Sequence, residues 1–314
     1  MKNRELHLHI DGSLRVDTVW ELSKEQNIDL GIPKKLLINE LQVSKECKSL
    51  NDYLERFKIP LKLLQKPYAI ERVSYELIKD LSAYDMDYSE IRFAPQLSTF
   101  NGYSQEEILK ASIRGIQQAE KELKNFKAGL IICMMRGDNN EELNKETLYL
   151  AKKYLGNSVC ALDIAGAEAV YKTRNFKSLL KEAKHIGLPL TIHAGEAGDK
   201  DDLQVALEVN TDRIGHGILS INYDDIVEKI IDKNITLEVC VTSNLQTKVI
   251  DSIKDHPIRK LYDRGVKIAV SSDNMTVSNT NINKEFEILK NELNFNETEL
   301  NNIRENTINA SFIK

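Results

Sequence analysis

The sequence has few cysteines and contains no pair with the C-x-x-C spacing of sulfur metal sites. Its four cysteines, Cys47, Cys133, Cys160 and Cys240, lie far apart along the chain. Neither a sulfur zinc finger nor a disulfide framework is therefore predicted. We interpret these residues as small buried thiols in a protein of a reducing compartment.

Long apolar runs are also missing. No stretch has the length and apolar character needed to cross a bilayer, and the first ten residues lack the apolar core of a signal peptide. A motif of metal-ligand type already begins at His7, which leaves no room for a cleaved leader. The sequence therefore predicts a cytoplasmic protein that has no membrane partner.

Positive charge does not predominate, because 43 Lys and Arg residues face 48 Asp and Glu residues, for a net charge of -5. Such a chain offers no broad positive field to attract a phosphate backbone, so nucleic acid is not an expected partner. Glycine-rich phosphate loops of the G-x-G-x-x-G or Walker type are absent too. A small neutral ligand fits this composition better.

The chain does contain short apolar runs that each end in a polar motif, separated by charged stretches with helical periodicity. The runs span residues 6–10, 89–97, 128–135, 159–166, 188–196, 213–217, 235–243 and 266–274. Eight alternating strand and helix units favour a parallel sheet that closes into a (β/α)8 TIM barrel, with chemistry at the carboxyl ends of the strands. We expect a single domain over residues 1–314.

One segment interrupts the strand and helix alternation. Residues 28–70 lie between the first and second predicted strands, and their apolar part, residues 50–70, is too long for a plain connection. Long insertions after a barrel strand commonly cover the mouth of the active site. The segment is therefore interpreted as a helical insertion that acts as a lid, or as ordinary packing on the outside of the barrel.

Histidine and carboxylate residues recur at the predicted strand ends. His7 and His9 are two residues apart in a strand, so their side chains point to the same face. An HxH pair alone does not establish a metal site. His193 and Asp273, at the ends of two later strands, favour one, because buried imidazoles and carboxylates without partners would be costly to fold.

Several ordered motifs resemble the adenosine deaminases of the metal-dependent hydrolase superfamily, over nearly the whole chain. The motifs are ELHLHIDGSLR (5–15), YSEIRFAPQL (88–97), ALDIAGAE (161–168), TIHAGEAGD (191–199), RIGHG (213–217), LEVCVTSNL (237–245) and HPIRKLYDRGVKIAVSSDN (256–274). The resemblance implies a barrel that converts adenosine and water to inosine and ammonia in purine salvage.

The same resemblance implies one zinc ion per chain. Carried over by matching position, the protein ligands are His7, His9, His193 and Asp273. Zinc can lower the pKa of a water molecule to about 7, which makes a nucleophile available at neutral pH. His216 would orient that water and take its proton, and Asp273 would contact the same oxygen.

The remaining roles implied by the resemblance concern the substrate. Glu196 in HAGE would act as the acid that protonates purine N1, which requires a neutral carboxyl, and burial in an apolar pocket would favour that form. The backbone N–H of Gly166 would contact purine N3. Asp11, with His9 nearby, would accept a hydrogen bond from the ribose 5'-hydroxyl, which argues for a nucleoside substrate.

The sequence departs from the family pattern at three positions. Asn274 replaces a usual aspartate that reads purine N7, and an Asn amide can donate to N7 without a carboxyl proton. Substrate preference and pH profile are therefore open. Ala167 stands where Asp is usual, and Val241 replaces a common Pro.

Three further polar residues receive interpretations of their own. Glu238 matches a position that can hydrogen-bond His216 and set its tautomer. His185 and His256 match no ligand position, and we expect both to be surface or helix-capping residues.

Other functions remain open at this stage. A relative acting on adenine, an N6-modified adenine nucleoside or a nucleotide would use the same metal, acid and base. A protein that binds adenosine without turnover is disfavoured, because all the catalytic positions are intact. The H-x-E and P-C-x-x-C pattern of cytidine deaminases and the H-E-x-x-H motif of metalloproteases are both absent.

Overall fold

A computed structural model describes residues 1–313 and contains a parallel β-barrel. Its eight strands are β1 (Glu5–His9), β2 (Tyr88–Phe93), β3 (Lys127–Met135), β4 (Val159–Ala165), β5 (Thr191–Ala194), β6 (Arg213–His216), β7 (Thr236–Val239) and β8 (Lys267–Val270). Each strand pairs in parallel with its sequence neighbour within the sets β1 to β4 and β5 to β8.

Two short contacts join these two sets of four strands into a closed barrel. Leu162 bridges Leu190 between β4 and β5, and Leu8 bridges Asp273 between β1 and the segment after β8. At the second junction, the His9 N–H donates to the Asp273 carbonyl at 2.7 Å, and the Asp273 N–H donates to the His7 carbonyl at 3.0 Å. The barrel therefore closes through the backbone of three predicted metal ligands.

Helices surround the strands and leave a buried apolar layer between helix and sheet. They are α1 (Val16–Glu25), α2 (Leu37–Leu41), α3 (Leu50–Leu54), α4 (Lys58–Leu63), α5 (Pro67–Ser82), α6 (Gln105–Glu122), α7 (Glu141–Tyr154), α8 (Lys177–His185), α9 (Lys200–Glu208), α10 (Asp224–Asp232), α11 (Val241–Gln246), α12 (Ile258–Asp263), α13 (Ile282–Asn291) and α14 (Glu297–Ala310). The predicted (β/α)8 barrel is thus confirmed.

The predicted insertion after the first strand is helical. Helices α1 to α4 lie between β1 and α5, which is the helix that leads into β2. Five side chains of this segment line the cavity at the strand ends; they are Leu50, Tyr53, Leu54, Phe57 and Leu61. The helical character of the insertion is therefore confirmed and part of it lines the cavity, whereas its action as a lid stays a prediction.

The cysteines agree with the sequence-based expectation, because all four are buried and free. No helix within residues 1–313 combines the length and the apolar character that crossing a bilayer requires. The assignment of the whole chain to a single domain stays a prediction.

Candidate active site

The strand ends bring the four predicted metal ligands together. His7 and His9 lie on β1, His193 lies on β5, and Asp273 follows β8. His9 Nε2 is 3.3 Å from His193 Nε2. The Asp273 Oδ1 atom lies 3.5 Å from Nε2 of both His7 and His9. Side chains from three distant parts of the sequence therefore converge on one point.

The orientation of two imidazoles fits a metal cation at this point. His7 Nδ1 is held by Glu238 at 2.8 Å, and His193 Nδ1 is held by Asp163 at 2.9 Å. Carboxylates that take the outer N–H of a ligating histidine leave the other ring nitrogen free to coordinate. His7 Nε2 is buried and has no hydrogen-bond partner. Such an atom is costly to bury unless a ligand binds it.

Several combinations of residues at the site have the spacing of metal ligands. Within residues 1–313, the possible ligand atoms of each of three triads lie within 4.8 Å of one another. The triads are His7, His9 and Asp273; His7, His193 and His216; and His216, Cys240 and Asp273. His216 therefore lies close enough to act on a molecule that a metal ion at this point would hold.

A buried ionic network in the barrel interior holds the predicted ligands His7 and His193 in place. The Arg92 guanidinium donates to Asp163 and to Glu238, each at 2.8 Å, and both carboxylates also hold a ligand histidine. Arg213 contacts the second oxygen of Glu238 and also Glu90. These charges are fully buried, and each has an oppositely charged partner, which is the condition for tolerating them there.

The expected contact between Glu238 and His216 is wrong. Glu238 contacts His7, because β7 places it across the barrel interior from β1, where Arg92 and Arg213 also reach it. The His216 Nδ1 atom instead lies 3.1 Å from the side-chain amide of Asn244. Pairing across a closed barrel decides this partner, and sequence spacing did not reveal it.

Of the two histidines expected at the surface or in caps, one is exposed and the other is buried. His185 ends α8 and is exposed, as expected. His256 is only 3% exposed, so its expected surface position is wrong, but its Nδ1 accepts the Ile258 N–H at the start of α12, which is a capping contact. Its Nε2 lies 3.3 Å from Asn244 Oδ1 and thus supports the residue that contacts His216.

Glu196 lies in a loop whose backbone is held by a second carboxylate. The Glu168 side chain accepts the N–H groups of residues 195–198 at 2.8 to 3.1 Å. Burial, followed by the negative charges of Asp273 and Glu168, raises the pKa of Glu196 well above its usual value. This shift favours the protonated carboxyl, which the acid role requires.

His216 has the opposite shift. Burial and the nearby His7 hold the pKa of His216 well below its usual value, so its imidazole is neutral at neutral pH. Its Nε2 lies 3.6 Å from Glu196 Oε2. The structure thus places a carboxyl whose protonated form is favoured beside an imidazole whose neutral form is favoured.

A cavity of about 300 Å³ opens onto these groups and is lined by His9, Asp11, Gly166, Glu196, His216, Asp273 and Asn274. Asp11 Oδ1 is buried without a hydrogen-bond partner, and burial with the charge of Asp273 raises the pKa of Asp11 to about 7. Gly166 has a φ of +107°, which side-chain-bearing residues rarely adopt.

One positively charged side chain lies at the cavity wall, and its terminal nitrogens are engaged by neutral oxygen acceptors. Among residues 1–313, Arg136 is the one Lys or Arg that lines the cavity. Its guanidinium donates to the carbonyls of Tyr171 and His193 and to the Thr173 hydroxyl, at 2.6 to 2.9 Å. The two terminal nitrogens of this guanidinium are therefore already used within the protein, although its positive charge remains.

Asn274 has a contact that the sequence did not suggest. Its side-chain Nδ2 donates to the Tyr53 hydroxyl at 2.9 Å, and Tyr53 belongs to the insertion. The sequence did not indicate a site role for Tyr53, which lies in an apolar segment, or for Arg92, which lies in an apolar strand. The signal that could have found Arg92 is a charged residue in a run that otherwise reads as a buried strand.

Comparisons with known proteins agree with this geometry. The sequence matches the family model for adenosine deaminase over residues 3–314. It is 41% identical over 313 residues to an adenosine deaminase from Haemophilus ducreyi, with 98% of this chain and 91% of that protein covered.

Solved structures have the same fold. An Arabidopsis N6-mAMP deaminase superposes with a TM-score of 0.89 at 26% identity, covering 100% of this chain and 94% of that one. An adenine deaminase from Arthrobacter aurescens also gives a TM-score of 0.89, at 24% identity, covering 99% of this chain and 94% of that one.

Proposed function

Because this chain belongs to the adenosine deaminase family, we propose that it hydrolyses adenosine and 2'-deoxyadenosine to the inosine product and ammonia. The observation that carries the proposal is the placement of Glu196, whose pKa is raised, and His216, whose pKa is lowered, beside a His and Asp cluster in one cavity. Hydrolytic deamination needs an acid, a base and an activated water in this arrangement.

One zinc ion per chain, held by His7, His9, His193 and Asp273, is part of the proposal. Imidazole and carboxylate groups are common zinc ligands, and the unpartnered His7 Nε2 supports an inward-facing ligand set. When bound, zinc acts as a Lewis acid that makes water a competent nucleophile near neutral pH.

The side chains divide the proton transfers. His216 orients the attacking water and accepts its proton as the new C–O bond forms at purine C6. Glu196 gives its proton to N1, which stabilises the electron pair that moves onto N1 when the water attacks C6. The C6–N bond then breaks, and the amino group leaves as ammonia with the proton that His216 returns to it. The remaining hydroxyl proton is lost as the C6 carbonyl forms, which restores the proton of the Glu196 carboxyl.

Recognition of the nucleoside is assigned to residues of the cavity wall. Asp11, whose Oδ1 has no partner in the protein, accepts the ribose 5'-hydroxyl, with His9 beside it. The Gly166 N–H contacts purine N3, and the Asn274 amide contacts N7. Among the described residues lining the cavity, Arg136 is the one Lys or Arg, and its terminal nitrogens already donate within the protein, which favours a nucleoside over a nucleotide.

We further propose a cytoplasmic enzyme of purine salvage that acts on a small nucleoside and binds neither nucleic acid nor membrane. The net charge of -5 supports the absence of nucleic-acid binding, since a chain with this charge repels polyanions.

The test is a substrate panel with zinc-loaded protein. Adenosine, 2'-deoxyadenosine, adenine, AMP and N6-methyl-AMP are each followed by ultraviolet absorbance, and bound metal is measured by elemental analysis. We expect one zinc per chain and conversion of the two nucleosides at least tenfold faster than the other compounds. A preference for adenine or a nucleotide would replace the proposed substrate, and no turnover of any compound would leave only binding.

A further inference from the structure

Tyr53 joins the insertion to the loop that follows β8. It lies on α3 and is only 2% exposed. Its hydroxyl accepts from Asn274 Nδ2 at 2.9 Å and lies 2.6 Å from Ser278 Oγ, with which it shares a second hydrogen bond. The polar end of Tyr53 is therefore committed to two residues near the predicted substrate site.

The other side of the Asn274 amide lies against Gly12. A Cβ atom added at Gly12 would lie only 1.7 Å from Asn274 Oδ1, so the amide oxygen packs directly on the glycine backbone. That oxygen is buried and has no conventional hydrogen-bond partner. An NH2 group in its place would have no acceptor there, whereas a carbonyl oxygen tolerates contact with a Cα–H group.

The Gly12 contact selects one orientation of the amide, and in that orientation the Tyr53 hydroxyl accepts from Nδ2. An Asn NH2 group has two N–H donors. One of them is used by Tyr53, and the second remains available on the side of the amide that Tyr53 occupies, where both residues line the cavity. If the amide rotated by 180°, the carbonyl oxygen would take that position and would repel a ring nitrogen that can only accept.

We infer that Tyr53 is a specificity-determining residue: its hydroxyl orients the Asn274 amide so that an N–H faces the acceptor nitrogen N7 of a bound purine. The inference rests on the proposed function. Because Tyr53 belongs to the insertion, purine recognition is complete only when α3 is seated on the barrel. A positioning residue in the lid thus replaces the carboxyl proton that an aspartate at 274 would need.

The test compares adenosine with 7-deazaadenosine, in which a C–H group replaces N7. For each protein variant, the KM and kcat for adenosine and the inhibition constant of 7-deazaadenosine are measured with zinc bound. In the wild type we expect 7-deazaadenosine to bind more weakly than adenosine. Tyr53→Phe should raise the KM for adenosine about fivefold, the scale of one hydrogen bond, with kcat nearly unchanged. The inhibition constant of 7-deazaadenosine should move less than twofold.

Two further variants make the result specific. Tyr53→Phe added to Asn274→Ala should have no further effect on adenosine, because the amide that Tyr53 orients is gone. Leu54→Ala, on the same helix and also lining the cavity, should weaken both ligands equally. Equal weakening of both ligands by Tyr53→Phe would overturn the inference alone, and so would an undiminished effect in the Asn274→Ala background. Failure of the wild-type enzyme to turn over adenosine would overturn the proposed function as well.

Discussion

The barrel interior beneath the histidines and the cavity above them differ in how their polar groups are paired. Beneath, Arg92 and Arg213 are fully buried among three carboxylates, and each of these charges has a partner of opposite sign. Above, Asp11 Oδ1 lines the cavity and is buried without any partner. Paired charges hold the ligand side chains in place, whereas an unpartnered carboxylate oxygen at the cavity wall marks where a substrate would bind.

The difference predicts two classes of variant. Changes beneath the histidines should alter metal affinity and the free energy of unfolding. Changes in the cavity should alter kcat or KM and leave the metal in place.

Glu196→Gln should produce the largest effect on turnover. The amide is similar in size but cannot transfer a proton, so kcat should fall by about 100-fold to 10,000-fold. Zinc content and melting temperature should stay close to those of the wild type, since Glu196 is not a proposed ligand. Steady-state kinetics and elemental analysis check both points. Loss of zinc would show that Glu196 supports the metal site rather than the substrate cavity alone.

The pH dependence of the wild type provides a further check on Glu196. Its raised pKa extends the pH range in which the acid form is present, so kcat should fall as pH rises through that pKa. The lowered pKa of His216 means that the base is lost only when pH falls well below neutral. A rate that keeps rising into the alkaline range would contradict the acid role.

Glu238→Gln should have the next largest effect, on the metal. Losing the carboxylate that holds His7 Nδ1 should lower zinc affinity about 10-fold to 100-fold, measured by competition with a chelator. Glu90→Gln is the matched control, since Glu90 contacts Arg213 in the same network but contacts no ligand histidine. Both variants should unfold at a lower temperature. Equal zinc affinity in the two would show that the network only stabilises the fold.

Asn274→Asp should change the pH profile of substrate binding. A buried carboxyl beside Asp273 should have a raised pKa and can donate to purine N7 only while protonated. The KM for adenosine should therefore rise about tenfold, relative to the wild type, as pH increases through that pKa. Zinc content should not change. A parallel loss of zinc would place position 274 among the metal ligands.

The sequence predicted the barrel because each apolar run ended in a polar motif, and in a parallel barrel all such ends share one rim. Contacts that depend on pairing across the closed barrel were not accessible in this way. The partner of Glu238 is the clearest case, since spacing could not decide between His7 and His216. Burial of Arg92 was missed for the same reason, because its partners come from remote segments.

Phe312→Ala should have the smallest effect and separates support of the fold from support of the metal. The Phe312 ring lies 3.7 Å from the Arg213 guanidinium at the closed end of the barrel, and Arg213 in turn contacts Glu238. Loss of this cation–π contact should lower the free energy of unfolding by about 1 kcal/mol. Ile313→Ala, an adjacent and more exposed position, is the control. If Phe312→Ala also weakens zinc binding severalfold, Phe312 supports His7 through Arg213 and Glu238. If only the melting temperature falls, the contact between Phe312 and Arg213 stabilises the fold and does not affect the metal site.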